Sequence, residues 1–399
     1  SSINLSVVIM RARPSFILAA ISLALAAPSP PPQARDIDPR VVDKYIVKLK
    51  ESSEIAALDS ILDSFSIETD HLYSNVFNGF AATLDDDQVA KLHDHPQVEY
   101  IEKDSILSIE SDGIVSIDDL ITVPTTNWNL ARISHRARGA TTYVFDDSAG
   151  EGTCVYILDT GIQITHTQFG GRASMVANFV GGSSTDGNGH GTAIAGVVGG
   201  LTYGVSRNTA LLGIKVLDDS GSGTTSGIIS GIDWIASDVF TRNCPKGFAV
   251  NIAFGGSFST ALNTAVATLI SGGTFVSVFA GGNAANAANY SPASVLTACT
   301  VGGSTSTDTA ASWSNYGSLL DIWAPGQSVV TTGLGGTTTT VSGSIASAHI
   351  AGLGAYIASL EGITGAGICE RLKELATPNL LGNVPASTVN LIAYNGSGA

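Results

Sequence analysis

Apolar and polar residues in the N-terminal part of the chain repeat with periods that predict a small mixed module. The strand-like segments are residues 45–49, 77–84 and 98–104, and the helix-like segments are residues 54–65 and 85–92. Asp85 stands at the start of the second helix, where a carboxylate can cap the main chain. These segments suggest the order strand–helix–strand–strand–helix–strand, in which one of the four strands is not located, and they predict an α+β module of the ferredoxin-like type over residues 43–109.

The C-terminal part carries short, continuous apolar runs, which fit strands buried on both faces of a parallel sheet. The predicted strands are residues 155–158, 211–217, 250–254 and 274–280, and helical patterns lie at residues 225–240 and 260–271. This alternation predicts an α/β fold, a doubly wound and mostly parallel sheet with helices on both faces. Such folds bind ligands at the carboxyl ends of their strands, which is where functional residues are expected.

Composition narrows the class of protein. Of the 399 residues, 44% are hydrophobic and 13% are charged, which excludes a mainly disordered chain. The net charge of −15 is uneven, because residues 28–120 hold 20 Asp and Glu against 7 Lys and Arg. Neither part of the chain is basic, so a nucleic-acid partner is not expected.

The N-terminal end has the pattern of an export signal. Arg11 and Arg13 precede an apolar run, and Ala24-Leu25-Ala26 has the small residues of a cleavage site. We expect a signal peptide over residues 1–27, with residues 1–9 as an upstream extension, and a linker over residues 28–42. The apolar run is too short for a membrane-spanning helix. A secreted, extracellular protein without a membrane partner is predicted, and no sequence feature indicates an oligomer, so a monomer is expected.

The number of cysteines is consistent with an exported protein. All four lie in the C-terminal part, at Cys154, Cys244, Cys299 and Cys369. An even number in an exported chain predicts two disulfides, and the spacing leaves all three pairings open.

Three reactive side chains lie at the ends of predicted elements. Asp159 follows the strand 155–158, His190 precedes an apolar helix, and Ser344 lies between a glycine and another apolar helix. Each alone has a structural explanation, since Asp and Ser often cap helices and turns. Together they supply the carboxylate, base and nucleophile of acyl transfer, in the chain order Asp, His, Ser.

Longer motifs carry a family resemblance. The C-terminal part contains ILDTGI, DGNGHGT, KVLDDSGSG, NCPKG, NYSPAS, SNYGSLLDI and VNLIAYN. These motifs resemble fungal subtilisin-like serine proteases of the proteinase K branch. In the N-terminal part, YIVKLK, NGFAATL and VEYIEKD resemble the inhibitor-type propeptide of the same proteases. The resemblance implies a propeptide over residues 43–109, a processing linker over residues 110–124 and a peptidase domain over residues 125–399.

The resemblance also implies roles for single residues. It implies a charge relay of Asp159, His190 and Ser344, and disulfides Cys154–Cys244 and Cys299–Cys369. Substrate main chain would add as a strand along two segments, which contain Gly221, Ser222 and Gly223, and Ala253, Phe254 and Gly255. Catalysis would need no cofactor. The partners would be peptide or protein substrates and the chain's own propeptide, acting as inhibitor and folding aid.

The serine loop departs from the family pattern. The family sequence Gly-Thr-Ser-Met-Ala-Thr-Pro-His is one residue shorter here, from Gly343 to His349. Ser344 therefore stands either for the nucleophile or for the Thr before it. Ser342 and Ser347 are weaker candidates for the nucleophile.

Other departures concern residues around the reaction centre. The oxyanion Asn of the family falls at Gly282, and Asn283 stands one position late. Loss of one oxyanion donor costs about 10²–10³ in turnover. Ala193 replaces a second His after Gly-Thr, and Ala253 replaces a Ser of the substrate strand.

A structural calcium ion is the one metal that the resemblance suggests. Asp321 matches a calcium-ligand position whose other ligands are largely main-chain oxygens. Asp321 is therefore either a calcium ligand or an ordinary surface carboxylate. A second, C-terminal site is not expected, because Leu380 stands at the matching position.

We predict a secreted serine endopeptidase that is made as a self-inhibited precursor. The alternative is a catalytically inactive pseudoprotease that keeps the fold and binds peptide or protein. The short serine loop, Gly282, Ala193 and Ala253 favour the alternative. Asp159, His190 and the propeptide favour the enzyme.

Overall fold

The structure is a computed structural model, which describes residues 41, 43–50, 55–108, 115–116 and 127–398. The predicted signal peptide lies outside these residues, as do most of the predicted linkers 28–42 and 110–124. No helix in the described ranges is long and apolar enough to cross a membrane. The described residues belong to one compact unit, Asp38–Ala399.

The N-terminal module consists of one sheet and two helices, followed by two short strands. The elements of the module are β1 (Lys44–Leu49), α1 (Ile55–Phe65), β2 (Thr69–Tyr73), β3 (Gly79–Thr83), α2 (Asp86–His93) and β4 (Val98–Lys103), and the strands that follow it are β5 (Ile106–Ser108) and β6 (Val115–Ser116). The four-stranded sheet is antiparallel, in the order β2-β3-β1-β4. The predicted ferredoxin-like order is confirmed, and Asp85 and Gln88 form the capping box that begins α2.

A nine-stranded sheet forms the centre of the large domain. Its strands are β7 (Thr153–Asp159), β8 (Ala173–Asn178), β9 (Ala210–Lys215), β11 (Gly247–Ile252), β13 (Phe275–Phe279), β15 (Cys299–Ser304), β16 (Ile322–Pro325), β19 (Thr377–Pro378) and β20 (Leu391–Ile392). The strand order is β19-β20-β16-β15-β13-β11-β7-β9-β8. Every neighbouring pair is parallel except β19 and β20, so the predicted mostly parallel sheet is confirmed.

Helices cover both faces of this sheet. They are α3 (Trp128–Ser134), α4 (His190–Gly199), α5 (Thr225–Asp238), α6 (Thr260–Ser271), α7 (Ile345–Glu361) and α8 (Gly367–Leu375). Side chains of β7 alternate between two cores: Val155 and Ile157 pack on the α4 and α7 side, and Tyr156 and Leu158 on the α5 and α6 side. This period of two explains why the strand is apolar at every position.

Short strands lie at the edges of the large domain. They are β10 (Ser222–Thr224), β12 (Gly256–Ser257), β14 (Tyr290–Ser291), β17 (Val329–Thr332) and β18 (Thr338–Val341). Two of them pair with the segment that follows the N-terminal module: β10 pairs with β5, and β18 pairs with β6. Both pairings are antiparallel, and they hold the N-terminal segment against the large domain.

Two disulfides connect distant parts of the large domain. Cys154 of β7 is bonded to Cys244, and Cys299 of β15 is bonded to Cys369 of α8. The pairing implied by the family resemblance is confirmed.

Candidate active site

Asp159 is the last residue of β7 and is fully buried. Its carbonyl oxygen accepts hydrogen bonds from the N–H groups of Val216 and Leu217, which directly follow β9. Its Oδ1 atom accepts from the N–H of Thr160 at 2.8 Å. Two adjacent strand ends therefore fix this carboxylate at the carboxyl edge of the sheet, as the sequence predicted.

His190 is the first residue of α4. It follows Gly189, whose φ of 100° is in the left-handed region that glycine adopts without strain. The imidazole Nδ1 lies 2.8 and 3.0 Å from the two carboxylate oxygens of Asp159. Because a carboxylate only accepts hydrogen bonds, Nδ1 carries the proton, and Nε2 is left as an acceptor.

Ser344 is the residue before α7 and follows Gly343, whose φ is 98°. Its hydroxyl does not cap the helix. The Oγ atom lies instead 2.7 Å from His190 Nε2 and donates its proton there, since Nε2 is the acceptor. The structure thus brings together the three side chains that the sequence singled out, and none is more than 1% exposed.

The other two serines of the loop have different partners. Ser342 Oγ accepts from the N–H of Ser328 at 2.9 Å, and Ser347 Oγ donates to the Ser344 carbonyl at 2.9 Å. The N–H of Gly343 donates to the Gly326 carbonyl, which anchors the loop beside the end of β16. Among the three serines, Ser344 alone has a described hydrogen bond to His190.

The predicted oxyanion residues lie in the loop after β13. Gly282 has no side chain to donate, and Asn283 is exposed. The main-chain N–H of Asn283 donates to Asn315 Oδ1 at 3.0 Å. Within the described residues, no hydrogen bond joins the Asn283 side-chain amide to Ser344 or His190. Near Ser344 in sequence, the main-chain N–H groups of Ala346 and Ser347 already donate to the carbonyls of Gly343 and Ser344, at 3.2 and 3.1 Å.

The predicted substrate strand is occupied by the chain itself. In β5 and β10, Ser108 pairs with Ser222, Leu107 with Gly223, and Ile106 with Thr224. Gly221 lies just before the strand, in a turn closed by its N–H on the Asp218 carbonyl at 2.9 Å. The pairing involves Ser222 and Gly223, two of the residues predicted to bind substrate, and it extends to Thr224, which the sequence analysis did not select.

The second predicted segment lies on the other side of β5. Ala253 and Phe254 are fully buried, and Gly255 follows them before β12. Leu107 is also fully buried, and a Cβ added at Gly256 would approach its Cγ to 2.7 Å. The absence of a side chain at Gly256 therefore leaves the space that Leu107 fills.

Three carboxylates secure the N-terminal module to helices α5 and α6. Asp104 accepts from the N–H and the hydroxyl of Ser226, at the start of α5. Glu102 Oε2 accepts from the Ala261 N–H at the start of α6, at 3.1 Å. From the large domain, Asp233 accepts from the N–H groups of Asn75 and Val76 at 2.7 and 2.8 Å. The positions of Asp104 and Glu102 at helix starts are favourable, because the helix dipole is positive there.

The carboxylate of Asp321 already has protein partners. Burial raises the pKa of Asp321, its Oδ2 accepts from the Thr300 N–H at 2.9 Å, and its Oδ1 lies 3.5 Å from Lys373 Nζ. Among the described residues, the metal-type donors gathered around it are Cys299 and Cys369, whose sulfurs form a disulfide. Calcium takes about six to eight oxygen ligands, whereas here an ammonium group already balances the carboxylate. Asp321 is therefore a half-buried carboxylate paired with Lys373, and not the ordinary surface carboxylate that the sequence analysis gave as the alternative.

The fold, the N-terminal module and the geometry of the site are typical of one class of protein. The comparison with known families identifies the same class. Residues 150–377 match the model of the subtilase family, and residues 44–110 match the peptidase inhibitor I9 model. The chain belongs to the subtilase family and carries an I9 propeptide domain.

Known relatives are similar over most of the chain. The subtilisin-like serine protease AsES of Sarocladium strictum is 47% identical over 96% of this chain and 99% of its own. Proteinase R of Parengyodontium album is 48% identical over 89% of both chains, and a cuticle-degrading protease of Metarhizium anisopliae is 46% identical over 93% of this chain and 94% of its own. A crystal structure of a cold-adapted subtilisin-like serine proteinase superposes with a TM-score of 0.64 and 38% identity, over 68% of this chain and 98% of that one.

Proposed function

We propose that the protein is a secreted serine endopeptidase, made as a precursor that its own propeptide inhibits. The observation that carries the proposal is the continuous hydrogen-bonded series from Asp159 through His190 to Ser344. Relatives that are 46–47% identical over nearly their whole length are proteases by name, which supports the reaction class. The predicted signal peptide supports secretion.

The geometry supports a two-step acyl transfer. Ser344 Oγ attacks the carbonyl carbon of the peptide bond while its proton moves to His190 Nε2. Asp159 stabilises the imidazolium, which then gives the proton to the leaving amine as the C–N bond breaks. A water molecule next attacks the carbonyl carbon of the acyl-enzyme, with His190 again as base. The ester bond to Ser344 Oγ then breaks, the carboxylic acid leaves, and the proton passes from His190 back to Ser344.

The contacts of β5 support inhibition by the propeptide. Ile106–Ser108 pairs with β10 as a substrate strand would, and Leu107 fills the space at Gly256. A segment held there blocks the same main-chain donors and acceptors that an extended substrate needs. We propose that the chain is cut within the linker 110–124, after which the propeptide remains bound until it is released or degraded.

The intact mass of the secreted protein tests this proposal, with wild type beside Ser344→Ala. Cleavage within one molecule has a high effective concentration, so even a slow site should process itself. The proposal expects the wild type to lose the propeptide mass and the variant to retain it. Equal masses for both proteins, either uncut or cut alike by host proteases, would favour the inactive pseudoprotease.

A further inference from the structure

Asp186 is a buried carboxylate next to the candidate active site, at 7% exposure. Its Oδ1 atom accepts hydrogen bonds from Thr160 Oγ1 at 2.8 Å and from the N–H groups of Asn188 and Gly189 at 3.1 and 2.8 Å. Its Oδ2 atom accepts from the N–H and the hydroxyl of Thr192 at 2.9 and 2.6 Å. A single side chain thus contacts both the residue after Asp159 and the first turn of the helix that His190 begins.

Helix α4 needs this help because its N-cap residue, Gly189, has no side chain. Its first three N–H groups are all satisfied from outside the helix. His190 donates to Asn188 Oδ1 at 3.1 Å, Gly191 to Thr160 Oγ1 at 3.0 Å, and Thr192 to Asp186 Oδ2. The hydroxyl of Thr160 therefore accepts from α4 and donates to Asp186, which joins the Asp159 loop to the start of the His190 helix.

The loop after Asp159 and the start of α4 also pack closely against each other. Gly161 has a φ of 111°, and a Cβ there would lie 3.2 Å from the Asp186 N atom. A Cβ at Gly191 would collide with the Gly161 carbonyl and meet the Asp159 side chain at 3.1 Å. Glycine at both positions permits the approach, and the Asp186 hydrogen bonds hold it in place.

We propose that Asp186 and Thr160 are positioning residues, which set the distance and angle between the carboxylate of Asp159 and the imidazole of His190. Neither side chain bonds to the Asp159 carboxylate or to the His190 ring, and their effect passes through the main chain of α4 and of the loop after β7. This inference rests on the proposed function, in which His190 takes the proton of Ser344. A displacement of about 1 Å in such a site can cost about 10²-fold in rate.

The test compares Asp186→Asn with the pair Thr160→Val and Thr160→Ser. An amide at position 186 offers one acceptor where two oxygens now accept five hydrogen bonds. Valine removes the bridging hydroxyl with little change in volume, and serine retains it.

Active sites are first counted with a fluorophosphonate that reacts with the nucleophilic serine, so that kcat refers only to folded, competent enzyme. Asp186→Asn is expected to lower kcat by about 10–100-fold with KM nearly unchanged, Thr160→Val to lower it less, and Thr160→Ser to remain close to wild type.

A matched control separates positioning from general stability. Asp308 is another poorly exposed carboxylate, bonded to Arg132 Nε at 2.7 Å. Asp308→Asn should lower the unfolding temperature and leave kcat per titrated site unchanged. If Asp186→Asn and Thr160→Val behave like this control, the positioning proposal is wrong. If the fluorophosphonate labels neither wild type nor variants, it is the proposed function that fails.

Discussion

Leu107 of the propeptide domain is fully buried where Gly256 of the peptidase domain has no side chain. The contact places an apolar side chain in a pocket beside the paired strands β5 and β10, so main-chain pairing and burial act together. The propeptide therefore contacts the peptidase domain through β5, in addition to the carboxylates that reach α5 and α6.

Leu107→Ala should weaken the hold of the propeptide after processing. Truncating a buried leucine costs about 2–5 kcal/mol, which corresponds to about 30-fold or more in affinity. The lag between propeptide cleavage and the onset of peptide hydrolysis should become shorter. Leu72→Ala is the matched control, because Leu72 lies on the same domain and is 57% exposed. Equal lags for the two variants would contradict the role of the Leu107 pocket.

Gly282→Asn should raise turnover. The glycine leaves the loop after β13 without a side-chain donor at the position where the family has its oxyanion Asn, and such a donor is worth about 10²–10³ in kcat. We expect kcat to rise by at least about 10-fold with KM little changed. Gly282→Ala controls for the added bulk and should bring no gain. An unchanged kcat in the Asn variant would mean that the oxyanion is stabilised elsewhere.

Removal of calcium should leave the unfolding temperature unchanged. The prediction follows from the Lys373 ammonium, which lies 3.5 Å from Asp321 Oδ1 and 2.7 Å from Glu370 Oε1. A chelator is added to the inactive Ser344→Ala protein and its thermal unfolding is recorded. Lys373→Ala should unfold at a lower temperature, since it leaves the half-buried carboxylate of Asp321 without its ammonium partner. A chelator-induced loss of stability in the parent protein would restore Asp321 as a calcium ligand.

Stability should fall as the pH drops from about 6.5 towards 4, partly because of His349. Burial lowers the pKa of His349 from 6.5 to about 4. Its Nδ1 donates to the Ile345 carbonyl at 3.0 Å, and its Nε2 accepts from Asn129 Nδ2 at 2.9 Å. The unfolded chain therefore binds this proton first, so the contribution is present above pH 6.5 and is lost as the pH falls, by about 3 kcal/mol in total.

Denaturant unfolding of Ser344→Ala protein at several pH values measures this dependence. Adding His349→Gln should flatten the curve between pH 6.5 and 4, because glutamine has no proton to gain in that range. Parallel curves for the two proteins would show that other groups cause the acid sensitivity.

Local patterns in the sequence predicted much of the fold. Strand β7 follows from its continuous apolar run, helix α6 from its helical pattern, and the start of α2 from the cap residue Asp85. The edge strand β8 was not predicted, because its residues are mostly half-buried and lack a strong period. Strand β5 was missed because its pairing partner, β10, lies more than a hundred residues along the chain.

The candidate active site was predicted in part, because some of its residues stand in local motifs and others do not. Asp159, His190 and Ser344 stand in recognisable motifs, and the short loop left the identity of the nucleophilic serine open in the sequence. The structure places Ser344 Oγ 2.7 Å from His190 Nε2. Asp186 stands in the same motif as His190, but its partners come from two separate segments. No local pattern reports such a network, although a glycine at the N-cap of α4 could have indicated that another residue must cap the helix.

Labelling with a fluorophosphonate, followed by peptide mapping, tests the central claim most directly. The account predicts a single modified residue, Ser344, in the processed wild-type protein, and no modification in His190→Ala, because the hydroxyl is then without its base. A folded and processed protein that remains unlabelled, or that carries the label on Ser342 or Ser347, would contradict the assignment of Ser344 as nucleophile.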